Sequence, residues 1–216
     1  MKNIGIIGSG MVATTLGDGF IEHGYEVCLG TGHPEKLSDW KAKHGDAATV
    51  GSFEDAAKFG DLLVLSVKGD AAAEALESAG AENLQGKAII DTCNPIAPYP
   101  PQNGVLKYFT DINESLMERL QNAYPGAHFV KAFNSMGAPL MVNPDFGGIK
   151  PSMFICGNNA AAKKEVTGIC ELFGFDVEDM GPAEAARAIE PLCMLWCITG
   201  FTTGKWGGHA FKLLKR

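Results

Sequence analysis

The sequence predicts an α/β fold, with a doubly wound, mostly parallel sheet and a short helical C-terminal extension. Short apolar segments alternate with amphipathic ones along most of the 216 residues, as they do in chains of successive β-α-β units. From Pro182 the alternation gives way to a helical, apolar segment. We therefore expect a main domain over residues 1–181. The extension, residues 182–216, is expected to pack on that domain or on a second subunit.

The first predicted elements follow from apolar spacing. Residues 3–8, NIGIIG, form a continuous apolar run, which is typical of a buried parallel strand. Val12, Leu16 and Phe20 recur four residues apart and therefore share one face of a helix. Gly24 suits the position just after that helix.

The following segments continue the alternation. Residues 25–29, YEVCL, predict the second strand. Residues 34–45 predict a helix with proline near its first turn and glycine at its end. Ser52 predicts the start of another helix, because acidic residues fill the first turn after it. The remaining strands are predicted at 47–50, 61–67, 87–92, 128–133, 152–157 and 175–180, and the remaining helices at 69–80, 113–123 and 160–174.

A proline-rich segment, residues 93–113, interrupts this rhythm directly after a predicted strand. Its stretch NPIAPYPPQNG contains four prolines, which exclude a helix and any central strand. Long loops of this kind are commonly functional. We expect residues 99–104, YPPQNG, to form either a lid over a site or a rigid spacer.

Composition limits the classes of function. The net charge of −7 argues against nucleic acid as a partner. The longest apolar run, PLCMLWCITGF, is too short to span a bilayer, and strand-like residues begin at Asn3, so no signal peptide is expected. The six cysteines predict buried, reduced thiols rather than disulfides or a metal site. These features predict a soluble, cytoplasmic protein that does not contact membranes.

A glycine-rich turn carries the strongest functional signal. Gly8-Ser9-Gly10-Met11-Val12-Ala13 matches the pattern GxGxxA between the first strand and the first helix. Gly8 permits the tight turn, Gly10 lets the backbone approach a pyrophosphate, and Ala13 allows close helix packing. The helix N-terminus then offers free N–H groups to phosphate oxygens. A Rossmann-type dinucleotide site is therefore predicted at Gly8, Ser9, Gly10, Met11 and Val12.

The end of the second strand lacks the acidic residue that would bind the ribose of NAD. Thr31, Gly32 and His33 occupy this turn, and Lys36 follows within the next predicted helix. This turn predicts a site for a 2′-phosphate, and hence NADP(H) as cofactor. Thr31 offers a hydroxyl, Gly32 open backbone, His33 an imidazole and Lys36 a cation, and the N-terminus of the next helix points to the same place.

The sequence resembles the F420-dependent NADP reductase family over nearly its whole length. The resemblance rests on GIIGSGMVATTLGDGFIEHGYEVCLGTGHPEK, GDLLVLSV, FICGNNAAAKKEV and DMGPAEAARAIEPLCMLW. VKAFNSMG (130–137), FICGNN and AARAIE are also similar to the cytosolic reductase domain of the STEAP metalloreductases. Both resemblances imply a Rossmann fold that passes hydride from NADPH to a flavin-like ring.

The family's binding residues can be transferred position by position. Thr31 and Lys36 match its 2′-phosphate contacts, whereas Gly32 stands where the family often has arginine. The family's deazaflavin contacts have no clear match around residues 134–141. The resemblance implies nicotinamide contacts at Ser66, Val67, Lys68, Asn94, Pro95, Ala132, Phe133 and Asn134.

Three functions remain open at this stage. We favour hydride transfer between NADPH and a small-molecule acceptor such as F420, FMN or FAD, which needs ring positioning more than acid–base chemistry. Phe133 and Met136 would then form an apolar wall and Asn134 would bind an amide, although core packing explains Phe133 equally well. The alternatives are a carbonyl or imine reductase that uses Lys68 as acid, and a non-catalytic NADP(H)-binding module.

The C-terminal segment yields two further expectations. Its four large aromatic residues predict either a core role or a homodimer interface. Arg187 and Glu190, three residues apart on a predicted helix, are expected to form a modest surface pair.

Overall fold

The main sheet is entirely parallel and has six strands in the order β3-β2-β1-β4-β5-β6. The structure is a computed structural model that describes residues 2–216; Met1, the first residue of the predicted main domain, lies outside them. The strands are β1 (Asn3–Ile7), β2 (Glu26–Gly30), β3 (Ala48–Gly51), β4 (Leu62–Leu65), β5 (Ala88–Asp91) and β6 (His128–Lys131). This strand order confirms the predicted doubly wound fold.

Eight α-helices connect or flank these strands within the described residues. Short 3₁₀ turns precede several of them, including Pro34–Leu37. The helices are α1 (Met11–Glu22), α2 (Ser38–His44), α3 (Phe53–Phe59), α4 (Ala72–Ala79), α5 (Ala81–Leu84), α6 (Leu116–Ala123), α7 (Ala160–Leu172) and α8 (Ala186–Thr203).

Alternate residues of the strands β1, β4, β5 and β6 enter two separate cores, because successive side chains of a strand point to opposite faces. On one face, Ile6 and Val64 pack with Leu16 of α1 and Val166 of α7. The other face packs against α4 and α6, through residues such as Leu65, Leu76 and Leu120. Helices therefore cover both faces, and the carboxyl edge of the sheet is left to the loops.

The last two strands form a sheet of their own. β7 (Ser152–Ile155) and β8 (Asp176–Asp179) pair in parallel. An isolated antiparallel bridge joins them to the main sheet, where the Lys131 N–H donates to the Cys156 carbonyl at 3.0 Å. Because the chain approaches this edge in the opposite direction, β7 does not extend the parallel ladder.

The C-terminal segment is helical only as far as Thr203. Gly204 adopts a left-handed conformation, which ends helices readily, so the prediction of helix to the end of the chain was wrong. The final residues instead run beside β7, where the Ser152 N–H donates to the Phe211 carbonyl at 2.8 Å. Across residues 2–216 no helix is both long enough and apolar enough to cross a bilayer.

Candidate functional site

A cavity of about 700 Å³ opens at the carboxyl edge of the main sheet. Four segments line it: 9–12 after β1, 66–70 after β4, 92–94 after β5, and 96–99 of the proline-rich loop. Ligands of doubly wound sheets bind at this edge. The predicted residues Ser9, Gly10, Met11, Val12, Ser66, Val67, Lys68 and Asn94 all line the cavity.

The glycine-rich turn fits a pyrophosphate. Gly8 has a φ of +147°, and a Cβ there would lie 2.1 Å from the Ser66 carbonyl oxygen, so only glycine permits this close approach. At Gly10 a Cβ would meet nothing within 4 Å. The first turn of α1 has no side-chain cap and no acidic residue, so its N–H groups remain free for an anion.

The residues predicted to bind a 2′-phosphate lie outside the cavity lining, beside the glycine-rich turn. The hydroxyl of Thr31 lies 2.9 Å from that of Ser9 and accepts the His33 N–H at 3.1 Å. Gly32 is open to solvent, with no atom within 4 Å of a Cβ placed there. Lys36 is exposed as well, but it lies in a four-residue 3₁₀ turn. The predicted α-helical N-terminus is therefore absent from this place.

The end of β6 turns away from the cavity. Ala132, Phe133, Asn134 and Met136 are buried, and none of them lines the cavity; nor does Pro95. The Phe133 ring packs in the core at 5.8 Å from that of Phe175. This burial favours packing, the other role that the sequence left open for Phe133.

Two asparagines connect the ends of β5 and β6. The Asn134 amide donates to Asn94 Oδ1 at 3.0 Å, and the Asn94 amide donates to the Asn134 carbonyl at 2.9 Å. Asn94 lines the cavity, whereas Asn134 is almost completely buried beside it. Asn134 therefore fixes a cavity residue from behind.

The proline-rich loop is an ordered hairpin, which we call the arm (residues 95–109). The Ala97 N–H donates to the Lys107 carbonyl at 2.8 Å, and the Phe109 N–H donates to the Pro95 carbonyl at 2.9 Å. Gly104, near the arm's tip, lies against Thr202 and Phe201 of α8. These hydrogen bonds and contacts favour a rigid spacer over a lid as the role of residues 99–104.

The sequence did not reveal a buried ionic cluster under the cavity. Lys131 Nζ lies 2.7 Å from Asp91 Oδ2 and 2.9 Å from Glu190 Oε1, with all three side chains essentially inaccessible to solvent. The Arg187–Glu190 surface pair was therefore wrong, because Arg187 instead pairs with Glu118 at 2.6 Å. The sequence does contain one sign of this cluster: the apolar runs KAIID and HFVK end in residues of opposite charge, Asp91 and Lys131.

Electrostatics explains why the buried Lys131 stays protonated. Burial alone would lower the pKa of Lys131, but the neighbouring Asp91 and Glu190 carboxylates raise it above its ordinary value. The pKa of the Cys93 thiol is raised far above its usual range, chiefly by burial and then by Asp91. The Cys93 thiol therefore forms little thiolate, although Cys93 lines the cavity.

The strand order and the glycine-rich turn define a Rossmann-type α/β protein. A family model for "NADP oxidoreductase coenzyme F420-dependent" matches residues 3–95. A crystal structure of a proposed F420-dependent NADP reductase from Arthrobacter sp. FB24 matches over 100% of both chains, with 32% identity and a TM-score of 0.91. The chain belongs to this family of NADP-dependent oxidoreductases.

More distant similarities agree on the fold. The metalloreductase STEAP3 of Rattus norvegicus is 27% identical over 88% of this chain, which spans only 36% of that protein. An imine reductase from Myxococcus stipitatus in complex with NADP⁺ has a TM-score of 0.70 at 17% identity, covering 94% of this chain and 63% of the other. At that identity the likeness shows the fold alone.

Proposed function

We propose that the protein transfers hydride from NADPH to a flavin-like or deazaflavin acceptor. One observation carries the proposal: a single cavity joins the free N–H groups of α1 to an apolar wall on the arm, residues 96–99. NADPH would supply the hydride when bound. The protein's part is to hold two flat rings together and exclude water, which an ordered apolar wall can do.

The side chains that line the cavity suit such a reaction. Its titratable residues are Lys68, Asp70, Cys93 and Tyr99. Cys93 forms little thiolate because its pKa is raised, and Tyr99 is exposed, with the Lys107 ammonium 4.9 Å from its ring centre. A nucleophile activated by a neighbouring base is not among these residues. The cavity is therefore better suited to ring positioning than to covalent catalysis.

Preference for NADP(H) over NAD(H) belongs to the same proposal. Residues 31–34, directly after β2, include no acidic side chain. Donors for a phosphate come from Thr31, His33 and Lys36, and Gly32 leaves space. Glu35, which lies 3.4 Å from the His33 ring, opposes this preference by placing negative charge nearby. The expected selectivity is therefore moderate.

Direct titration of NADPH and NADH tests the nucleotide half of the proposal. Gly32→Arg and Gly32→Asp form a matched pair, because a side chain at Gly32 enters open space. We expect arginine to raise the NADPH-to-NADH affinity ratio at least about tenfold, and aspartate to lower it by a similar factor. Equal ratios in both variants would refute the 2′-phosphate site.

A panel of acceptors tests the chemical half. NADPH oxidation is measured with F420, FMN, FAD and ferric chelates in turn. We expect consumption with at least one ring acceptor. Binding of NADPH without consumption by any acceptor would favour the non-catalytic module instead.

Reduction of a small carbonyl or imine is the second candidate, because Lys68 lines the cavity and could donate a proton. Lys68→Met separates the two reactions. Turnover of a carbonyl or imine substrate should fall at least about a hundredfold, whereas hydride transfer to a ring acceptor should fall much less. A homodimer, a cytoplasmic location and the absence of nucleic-acid or membrane partners remain predictions.

A further inference from the structure

One turn of α8 contacts three elements that support the cavity. The Ile189 carbonyl accepts the Asn134 amide at 3.1 Å. The Glu190 carbonyl accepts the Tyr108 hydroxyl at 2.8 Å, and the Glu190 carboxylate pairs with Lys131. Two consecutive residues of α8 therefore reach β6, the arm and the loop after β6.

The Glu190 carboxylate is held in one orientation from two sides. Besides Lys131, it accepts the N–H groups of Leu116 and Met117, both at 3.0 Å, at the start of α6. Only about 1% of Glu190 is exposed. The positive end of α6 and the ammonium together compensate its charge.

Lys131 extends this constraint to residues 92–94 of the cavity lining, which we call the floor. Its ammonium donates to the Cys93 carbonyl at 2.7 Å, while the Cys93 N–H donates to Asp91 Oδ1 at 2.9 Å. Cys93 lies between Thr92 and Asn94, and all three line the cavity. The ionic cluster therefore holds both backbone polar groups of Cys93, its N–H and its carbonyl.

Tyr108 transmits the constraint to the cavity wall. Tyr108 pairs with Ile96 across the arm, and Ile96 begins the wall segment. The Tyr108 side chain is partly buried, and burial raises the pKa of its hydroxyl, so the group remains a hydrogen-bond donor. Floor and wall thus converge on Glu190.

We propose that Glu190 is a positioning residue for hydride transfer, which sets the spacing between the floor at Cys93 and the apolar wall of the arm. The inference rests on the proposed function and extends it to α8. Glu190 does not line the cavity; its carboxylate acts on the floor through Lys131, and its backbone carbonyl acts on the wall through Tyr108. Apolar residues can replace buried ion pairs without loss of stability, so a structural role alone does not require this arrangement.

Amide hydrogen exchange of the protein without nucleotide tests the positioning directly. The Ala97 and Phe109 amides, which form hydrogen bonds across the arm, report on its order. Tyr108→Phe, which removes the hydrogen bond to the Glu190 backbone carbonyl, should speed their exchange at least about tenfold. Glu190→Gln keeps that carbonyl and should instead speed exchange of the Cys93 amide, which the ionic cluster holds through Asp91, by a similar factor. Arg187→Met is the matched control, because it removes an exposed α6–α8 contact to Glu118 and should leave all three amides unchanged.

Kinetics separates positioning from a merely structural role. In Glu190→Gln we expect the single-turnover rate of NADPH oxidation with FMN to fall at least about tenfold, while the dissociation constant of NADPH changes less than about threefold. Arg187→Met should alter neither quantity. If the normal protein fails to oxidise NADPH, the proposed function fails, and the exchange experiment still decides the positioning.

Two results would overturn the inference. One is exchange of the arm amides in Tyr108→Phe, and of the Cys93 amide in Glu190→Gln, that equals exchange in Arg187→Met. The other is an equal loss of NADPH binding and turnover in Glu190→Gln, which would indicate general loosening. Should Glu190→Gln fail to fold, Tyr108→Phe decides alone, because it retains the ring and the whole ionic cluster.

Discussion

The Lys131 ammonium lies 2.7 Å from the Asp91 carboxylate, and both side chains are fully buried. The two residues are register partners on β5 and β6, so the sheet itself places them side by side. Lys131→Met would leave Asp91 and Glu190 buried without their cation. We expect a loss of about 3 to 5 kcal/mol in the free energy of unfolding, measured by urea titration.

Lys58→Met is the control for this substitution, because Lys58 forms an exposed pair with Glu54 that solvent screens, and its loss should lower stability far less than the loss of Lys131. The folded-state pKa of Lys131 is raised, so its contribution is complete below the ordinary lysine pKa and disappears only as pH rises through the folded value. The difference from the normal protein should therefore be constant between about pH 6 and pH 9. Equal stability of both variants would contradict the cluster's role.

Two glycines of the same turn should behave oppositely. Gly10→Ala adds a methyl group to open space, so stability should change by less than about 1 kcal/mol. The methyl group would occupy the expected path of the pyrophosphate, and the affinity for NADPH should fall at least about tenfold. Calorimetric titration with NADPH, together with thermal melting, measures both effects.

Gly8→Ala supplies the contrast. Its Cβ would collide with the Ser66 carbonyl oxygen, and its φ of +147° excludes a side chain. We expect lost stability as well as lost binding. If Gly10→Ala instead bound NADPH normally, the glycine-rich turn would not approach the pyrophosphate as proposed.

The fold was readable from the sequence because it depends on local patterns. The apolar run before Gly8 and the alternation that follows specify strand, turn and helix without distant contacts. Capping also acts locally: Ser52 begins α3 as predicted, and the structure adds a capping box with Asp55. Three of the four segments that line the cavity follow strand ends, whereas the fourth, residues 96–99, belongs to the arm.

Features that depend on long-range packing could not be read in this way. Glu190 is 59 residues from Lys131 in sequence, and nothing local distinguishes it from a surface acid on a helix. Phe133 adopts a φ of +59°, unusual for a bulky residue, which turns the chain into the core after β6. Because of this turn, Phe133 and Met136 are buried and do not form the cavity wall that was predicted from the sequence.

Thiol labelling tests the burial of the cysteines. The six cysteines are free, and only Cys197 is partly exposed. Burial raises the pKa of Cys28 to about 11 and that of Cys156 to about 12, so little thiolate forms at those sites. Brief treatment with iodoacetamide near neutral pH should alkylate Cys197 first, as read by peptide mass spectrometry.

Labelling in urea provides the comparison, because unfolding should make all six cysteines reactive. Cys93 is the informative site, since its segment lines the cavity. Rapid native alkylation of Cys93 would show that the cavity floor opens, against the fixed peptide described above.

Asp18 connects α1 to α2 and should make stability depend on acid. Its carboxylate accepts the Trp40 indole at 2.6 Å and lies 2.7 Å from both Lys43 Nζ and His44 Nε2. Burial would raise the pKa of Asp18, but these donors outweigh it and lower the value. The stabilisation is therefore complete above the unfolded-state pKa and is lost as pH falls through the folded value.

We expect Asp18→Asn to cost about 1 to 2 kcal/mol at neutral pH, and this difference should shrink below about pH 4. Asp46→Asn, at an exposed position nearby, should show no such dependence in urea titrations across the same range. A constant Asp18→Asn difference down to about pH 2.5 would mean that the carboxylate's charge contributes nothing to the α1–α2 contact.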